Sequence, residues 1–77
     1  SIGLYPNPTL DKLTIVMVGN KEPLNNLTIK VINSYGAVVI DKKIPDNTLD
    51  VGSLSSGIYR VIVRDNDLSY HGNFVKQ

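Results

Sequence analysis

The side chains able to carry acid–base, nucleophilic or metal chemistry are few. His71 is the single histidine among 77 residues, and cysteine is absent. A metal centre needs several His, Cys, Asp or Glu ligands at ligand spacing, and a nucleophilic site needs nucleophile, base and orienting acid. Neither arrangement is readable here. His71 alternates with Tyr70 and reads as a solvent-facing strand position. Asp11, Asp41, Asp46, Asp50, Asp65 and Asp67 are scattered, with Glu22 as the one glutamate. A glycosidase pair needs only to meet in space, but so short a chain lacks surface for a substrate cleft, and aspartates in these contexts build turns. Asp65-Asn66-Asp67 looks like the start of a calcium loop. Counted from Asp65, however, Lys76 falls where that loop needs its bidentate glutamate. No glycine-rich phosphate cradle occurs. The expectation is therefore no catalytic residue, no metal and no cofactor.

The aromatic residues are Tyr5, Tyr35, Tyr59, Tyr70 and Phe74. Tyr59 and Phe74 read as core, whereas Tyr35, in a turn, and Tyr70 could offer a stacking surface for sugar or nucleic acid. Eight basic residues against seven acidic ones give a net charge of +1, which leaves no basic stripe for a phosphate backbone. Asn26-Leu27-Thr28 matches the N-glycosylation pattern, too short a match to carry weight. With 42% hydrophobic and 19% charged residues the chain is of globular and not of disordered composition. The longest apolar run, Ile15 to Val18, is far below a membrane span, and no basic segment leads an apolar one as in a signal peptide.

The elements that must hold these residues are strands. Lys12–Val18 sets Leu13, Ile15 and Met17 on one face, and Leu27–Val31 alternates with Thr28 and Lys30 outward. Ala37–Ile44 begins apolar and ends charged. Gly57–Arg64 groups Tyr59, Val61 and Val63 opposite Arg60 and Arg64, and Leu68–Val75 places Tyr70 and Phe74 together. No segment has helical spacing over ten or more residues. Turns are expected at Gly19–Pro23, at Asn33-Ser34-Tyr35-Gly36, where Gly36 supplies a positive φ, at Ser53–Gly57 and at Asp65-Asn66-Asp67. Turn signals at this interval predict an all-β fold, a single immunoglobulin-like antiparallel β-sandwich of six to seven strands, with a small open barrel as the alternative. The expected core is Leu13, Ile15, Met17, Ile29, Val31, Val38, Tyr59, Val61, Val63 and Phe74. Gly57 is expected to hold a backbone conformation that other residues resist. Residues 1–3 read as a linker or the remnant of a cut end, and 4–77 as one domain.

Five blocks, in order, resemble the C-terminal sorting domains of the type IX (Por) secretion system of Bacteroidetes. They are Leu4-Tyr5-Pro6-Asn7-Pro8; Asp11 to Ile15; Val31 to Val39 around the turn Gly36; Leu49-Asp50 through Gly57-Ile58-Tyr59-Arg60-Val61; and Gly72-Asn73-Phe74-Val75-Lys76-Gln77. The departures are Gly52, where serine is usual, and Ala37, where a basic or polar residue is usual. The resemblance implies a non-catalytic transport tag, secreted or displayed at the cell surface by way of the periplasm and outer membrane. Its implied partners are an upstream cargo domain in the same chain, the outer-membrane translocon, and a sortase-like cysteine protease that usually removes the tag. Neither nucleic acid nor direct membrane insertion is implied.

On that reading Pro6, Asn7, Pro8, Gly36, Leu49, Asp50, Gly57, Tyr59 and Gly72 serve the fold. Phe74, Val75, Lys76 and Gln77 form the end that the translocon reads, through an open strand edge and the charge pair of Lys76 with the terminal carboxylate. Two other classes compete. A carbohydrate- or surface-ligand-binding accessory module needs an exposed aromatic cluster. A structural spacer needs chain continuing past both ends, which Gln77 directly after a strand argues against.

Overall fold

Period-two runs of β-branched residues have one low-energy solution, a strand with one face buried, and the computed structural model is built entirely from such strands. It describes residues 2–17, 26–65 and 68–77. The turn expected at Gly19–Pro23, the end of the first long strand at Val18, and Asn66 and Asp67 lie outside the described residues. Seven strands follow in chain order: β1 Ile2–Tyr5, β2 Lys12–Met17, β3 Leu27–Ile32, β4 Val38–Ile44, β5 Thr48–Asp50, β6 Gly57–Asp65 and β7 Leu68–Lys76.

They form two antiparallel sheets, one ordered β1-β2-β5 and one ordered β4-β3-β6-β7. Non-consecutive neighbours in both sheets give the Greek-key wiring of an immunoglobulin-like sandwich. The facing sides share one core. Leu13, Ile15 and Leu49 from the smaller sheet meet Leu27, Ile29, Val31, Val61, Val63 and Phe74 from the larger, all at most 1% exposed.

Several expectations are corrected. Ile2 and Gly3, read as lying outside the domain, belong to β1, which pairs Ile2 with Met17 and Leu4 with Ile15. Val38 is 52% exposed and not in the core. A register shift in the β3–β4 ladder pairs Ile32 with Val38 but Val31 with Ile40, so Val38 turns to the outer face and Ile40 packs inward. Met17 packs against the core only in part. Ile44, Leu49 and Val51 are buried positions that periodicity did not single out.

Candidate functional site

Gly72 through Gln77 closes the larger sheet at its β7 edge. An edge strand presents every second N–H and C=O to the side, open to any added strand. Here that row is partly taken by the chain's own beginning. The Val75 N–H donates to Asn7 Oδ1 at 2.8 Å, and Asn7 Nδ2 donates to the Asn73 carbonyl at 3.4 Å. The Thr9 N–H donates to the Val75 carbonyl at 2.9 Å, and the Gln77 N–H to the Thr9 carbonyl at 2.9 Å. Thr9 thereby forms a parallel bridge to Lys76, while its hydroxyl donates to the Lys12 carbonyl at 2.6 Å. Asn7 and Thr9 act as a clip that fastens the first strands to the last. Ladder alternation leaves the outward backbone groups of Ser69 and His71 without a partner among the described residues.

The four C-terminal residues expected to form an exposed tip are therefore of two kinds. Phe74 is 1% exposed and stacks on Tyr59 with ring centroids 5.4 Å apart. Lys76 is 7% exposed, its stem packed inward and its Nζ donating to the Gln77 carbonyl at 2.8 Å. Only the Val75 and Gln77 side chains face solvent. Lys76 is buried because β7 alternation turns it to the same side as Phe74, so its contact with the Gln77 backbone oxygen is part-buried and not fully exposed.

The residues expected to serve the fold mostly do so by identifiable contacts. Gly36 has φ +87°, and its N–H donates to the Asn33 carbonyl within the β3–β4 turn. The Asn33 side chain accepts from the N–H groups of Tyr35 and Ala37. Gly72 faces β1 across the sandwich, where an added Cβ would lie 3.0 Å from the Leu4 side chain. Leu49 is fully buried. Asp50 accepts from the Gly52 N–H at 2.9 Å and from Lys12 Nζ at 3.1 Å. The Gly52 hydrogen bond first, then the Lys12 ammonium, hold its carboxyl below the ordinary aspartate value.

The Tyr59 hydroxyl donates to the Ser55 carbonyl at 2.7 Å and pins the loop leading into β6, much as the tyrosine corner does in immunoglobulin-like domains. Pro6 and Pro8 flank the Asn7 clip and are exposed. Gly57 departs from expectation. Its φ lies outside the left-handed region, and an added Cβ would meet Tyr59 at an ordinary 3.8 Å. It starts β6 in a conformation that any residue adopts.

The geometry offers little to a substrate. No group of three or more His, Cys, Asp or Glu residues gathers among the described residues. The hollow at the turn end of the sandwich, about 320 Å³, lies between the Asn33–Tyr35 turn and the Ser53–Tyr59 segment and holds no acid, imidazole or lysine. Tyr35 is 94% exposed there. Tyr70 is half-buried and pairs with Val63, itself paired with Ile29. Roughly four residue steps along the sheet, about 13 Å, separate that row from the Asn33 turn. Tyr35 and Tyr70 therefore do not form one stacking platform.

These features define an immunoglobulin-like sandwich whose two terminal segments are hydrogen-bonded together and whose described surface has no built catalytic constellation. The chain belongs to the secretion system C-terminal sorting domain family, which matches residues 3–77. It is a sorting domain of the type IX secretion system, and such domains mark proteins for secretion across the outer membrane to the cell surface or beyond. One protein is similar in sequence and another in fold. The ulvan lyase NLR42 of Nonlabens ulvanivorans is 29% identical over 70 residues, covering 87% of this chain and 12% of that protein. PorZ of Porphyromonas gingivalis, described as an essential bacterial surface component of the type IX secretion system, superposes with a TM-score of 0.71 at 19% identity. That superposition covers 99% of this chain and 11% of PorZ, and it shows the shared fold. The chain thus spans about an eighth or less of the relatives it matches.

Proposed function

We propose that the domain is a non-catalytic address. It carries a cargo polypeptide joined upstream to the outer-membrane translocon of the type IX system, and a sortase-like cysteine protease then removes it. The single observation that supports this most is the family match across residues 3–77, made by a fold in which no group of three or more His, Cys, Asp or Glu gathers among the described residues. The end near Val75 and Gln77 belongs to what the translocon reads, and Phe74 and Lys76 hold that end in place from beneath. Addition of a partner strand at Asn73–Gln77 would require Asn7 and Thr9 to let go first, so side chains and the open Ser69–His71 stretch are the accessible elements.

The test is a periplasmic reporter fused ahead of residues 1–77 and expressed in a host with an active type IX system. The mass of the reporter recovered outside the cell should be that of the fusion shortened by about one such domain. Inactivating the protease should leave the full-length fusion at the outer membrane. A full-length fusion outside the cell, with the protease active, would refute the removal step. An exported reporter that never depended on the translocon would refute the address.

A further inference from the structure

The outer face of the four-stranded sheet concentrates charge in a way the composition hides. Strand alternation and the pairing registers turn Lys30, Lys43, Arg60 and Arg64 to this face, with Asp41 as the one outward acid among its described residues. The whole chain carries only +1, so the cationic excess sits largely on one side. Lys43, Thr28, Arg64 and Ser69 form one row across the sheet, and Asp41, Lys30, Ile62 and His71 the next, with the one acid directly opposite Lys30. Strand geometry puts Lys43 and Arg64 about 10 Å apart and Arg60 and Arg64 about 13 Å apart. Both spacings fit inside the roughly 800 Å² that one docked protein covers, so a single partner meets these cations together. The ion pair found among the described residues is Lys12–Asp50, on the other sheet, and none of these four cations takes part in one.

The face is also apolar between its charges. Ile58 and Ile62 alternate with Arg60 and Arg64 along β6, and Ile58 is 64% exposed. Val75, 39% exposed, pairs with Ile58 and extends the patch to the C-terminal end of β7. Shallow hollows lie between the rows, one lined by Lys30, Ile62 and Arg64 and another by Asn26, Lys43 and Arg64.

We infer that this face docks an acidic protein surface of the export machinery, one whose carboxylates are interspersed with aliphatic side chains. The inference rests on the sorting role and names the surface that performs it. A protein is the occupant because the patch asks for two things at once. Its guanidinium groups match carboxylates bidentately, and the exposed Ile58 and Val75 with the half-buried Ile62 gain only from an apolar counterpart. An anionic glycan supplies the charge without the apolar area, and sugars stack on aromatic rings. No tyrosine or phenylalanine ring lies on this face among the described residues: Tyr59, Tyr70 and Phe74 turn inward, Tyr35 sits in the end turn, and the face carries only the His71 imidazole.

The experiment compares export of the reporter fusion with native sequence, with Arg60→Glu/Arg64→Glu, and with Arg60→Lys/Arg64→Lys. Each domain is also purified and melted to show that it is folded. The charge reversal should lower export roughly tenfold or more, since rim charges govern encounter and exclude mismatched partners, and the lysine pair, which keeps the charge but not the guanidinium fork, should recover part of it. A Lys12→Gln control on the opposite sheet should export normally. Native fusion retained in the periplasm would sink the sorting role itself. Native fusion exported, with the folded Glu pair exported equally, would overturn the docking face and leave the sorting role standing.

A second arm separates occupants by titrating poly-L-glutamate and dextran sulfate against the isotopically labelled domain. Shifts of β6 and β3 amides on adding poly-L-glutamate, abolished in the Glu pair, support the acidic-protein surface. Shifts with dextran sulfate alone overturn it in favour of an anionic glycan.

Discussion

Replacing Phe74 by Leu separates packing from recognition at the C-terminal end. Phe74 is 1% exposed and stacked on Tyr59 at 5.4 Å. A swap to another large apolar side chain costs about 1–1.5 kcal/mol in repacking, and the lost ring pair adds about 0.5–1.5 kcal/mol. The sum is about 1.5–3 kcal/mol. A domain of this length has a total stability of about 4–12 kcal/mol, so most molecules stay folded. At about 4–8 °C per kcal/mol the melting temperature should fall by about 6–24 °C. Phe74→Ala costs about 3–5 kcal/mol and approaches the whole margin.

The assay pairs a thermal melt of the isolated domain with export of the reporter fusion at a temperature where the leucine variant is folded. Packing predicts a lower melting temperature with export within about twofold of native while the folded fraction stays high. An unchanged melting temperature with export lost would show that the ring is read directly, and would refute the assignment of Phe74 to the core side of recognition.

Three further outcomes follow from single contacts. Gly36→Ala should destabilise by about 1–2 kcal/mol, because an L-residue is strained at its φ of +87°; Gly57→Ala should change stability by less than about 0.5 kcal/mol, and equal effects in denaturant melts would contradict the backbone geometry. Asn7→Ala removes the acceptor of the Val75 N–H, so it should cost about 1 kcal/mol and speed hydrogen exchange at Val75 selectively; unchanged exchange there would show that the clip is open in solution. Asp50 has its folded pKa depressed by the Gly52 N–H and Lys12, so its contribution is present above the unfolded aspartate value of about 3.9 and is lost as pH falls through the lower folded value. Asp50→Asn should flatten that part of the melting profile, and an identical acid slope would exclude Asp50 as its source.

The long strands and most of the core were legible because alternation over six or more residues has one buried face. What escaped was set by features without period. β5 has only three residues, and β1 is four residues with a glycine inside and a proline after it. A single extra residue in the β3–β4 ladder moved Val38 outward. The candidate site was legible as a terminal strand and as a family pattern. Its clip was not, because Asn7 and Val75 are 68 residues apart and an asparagine between two prolines reads as a turn. The burial of Lys76 escaped for a related reason: lysine is read as solvent-facing unless the strand phase beneath it is known. Arg60 and Arg64 opposite the core residues of β6 were readable, whereas their assembly with Lys30 and Lys43 needed the strand order.

The most direct measurement of the central claim is the fraction of a periplasmic reporter found outside the outer membrane when residues 1–77 are fused to its end. It is compared in one host with and without a functional type IX translocon. The account predicts that most of the reporter leaves the cell only when both the domain and the translocon are present, and that the reporter alone stays periplasmic. A folded fusion that remains in the periplasm beside a working translocon would contradict it.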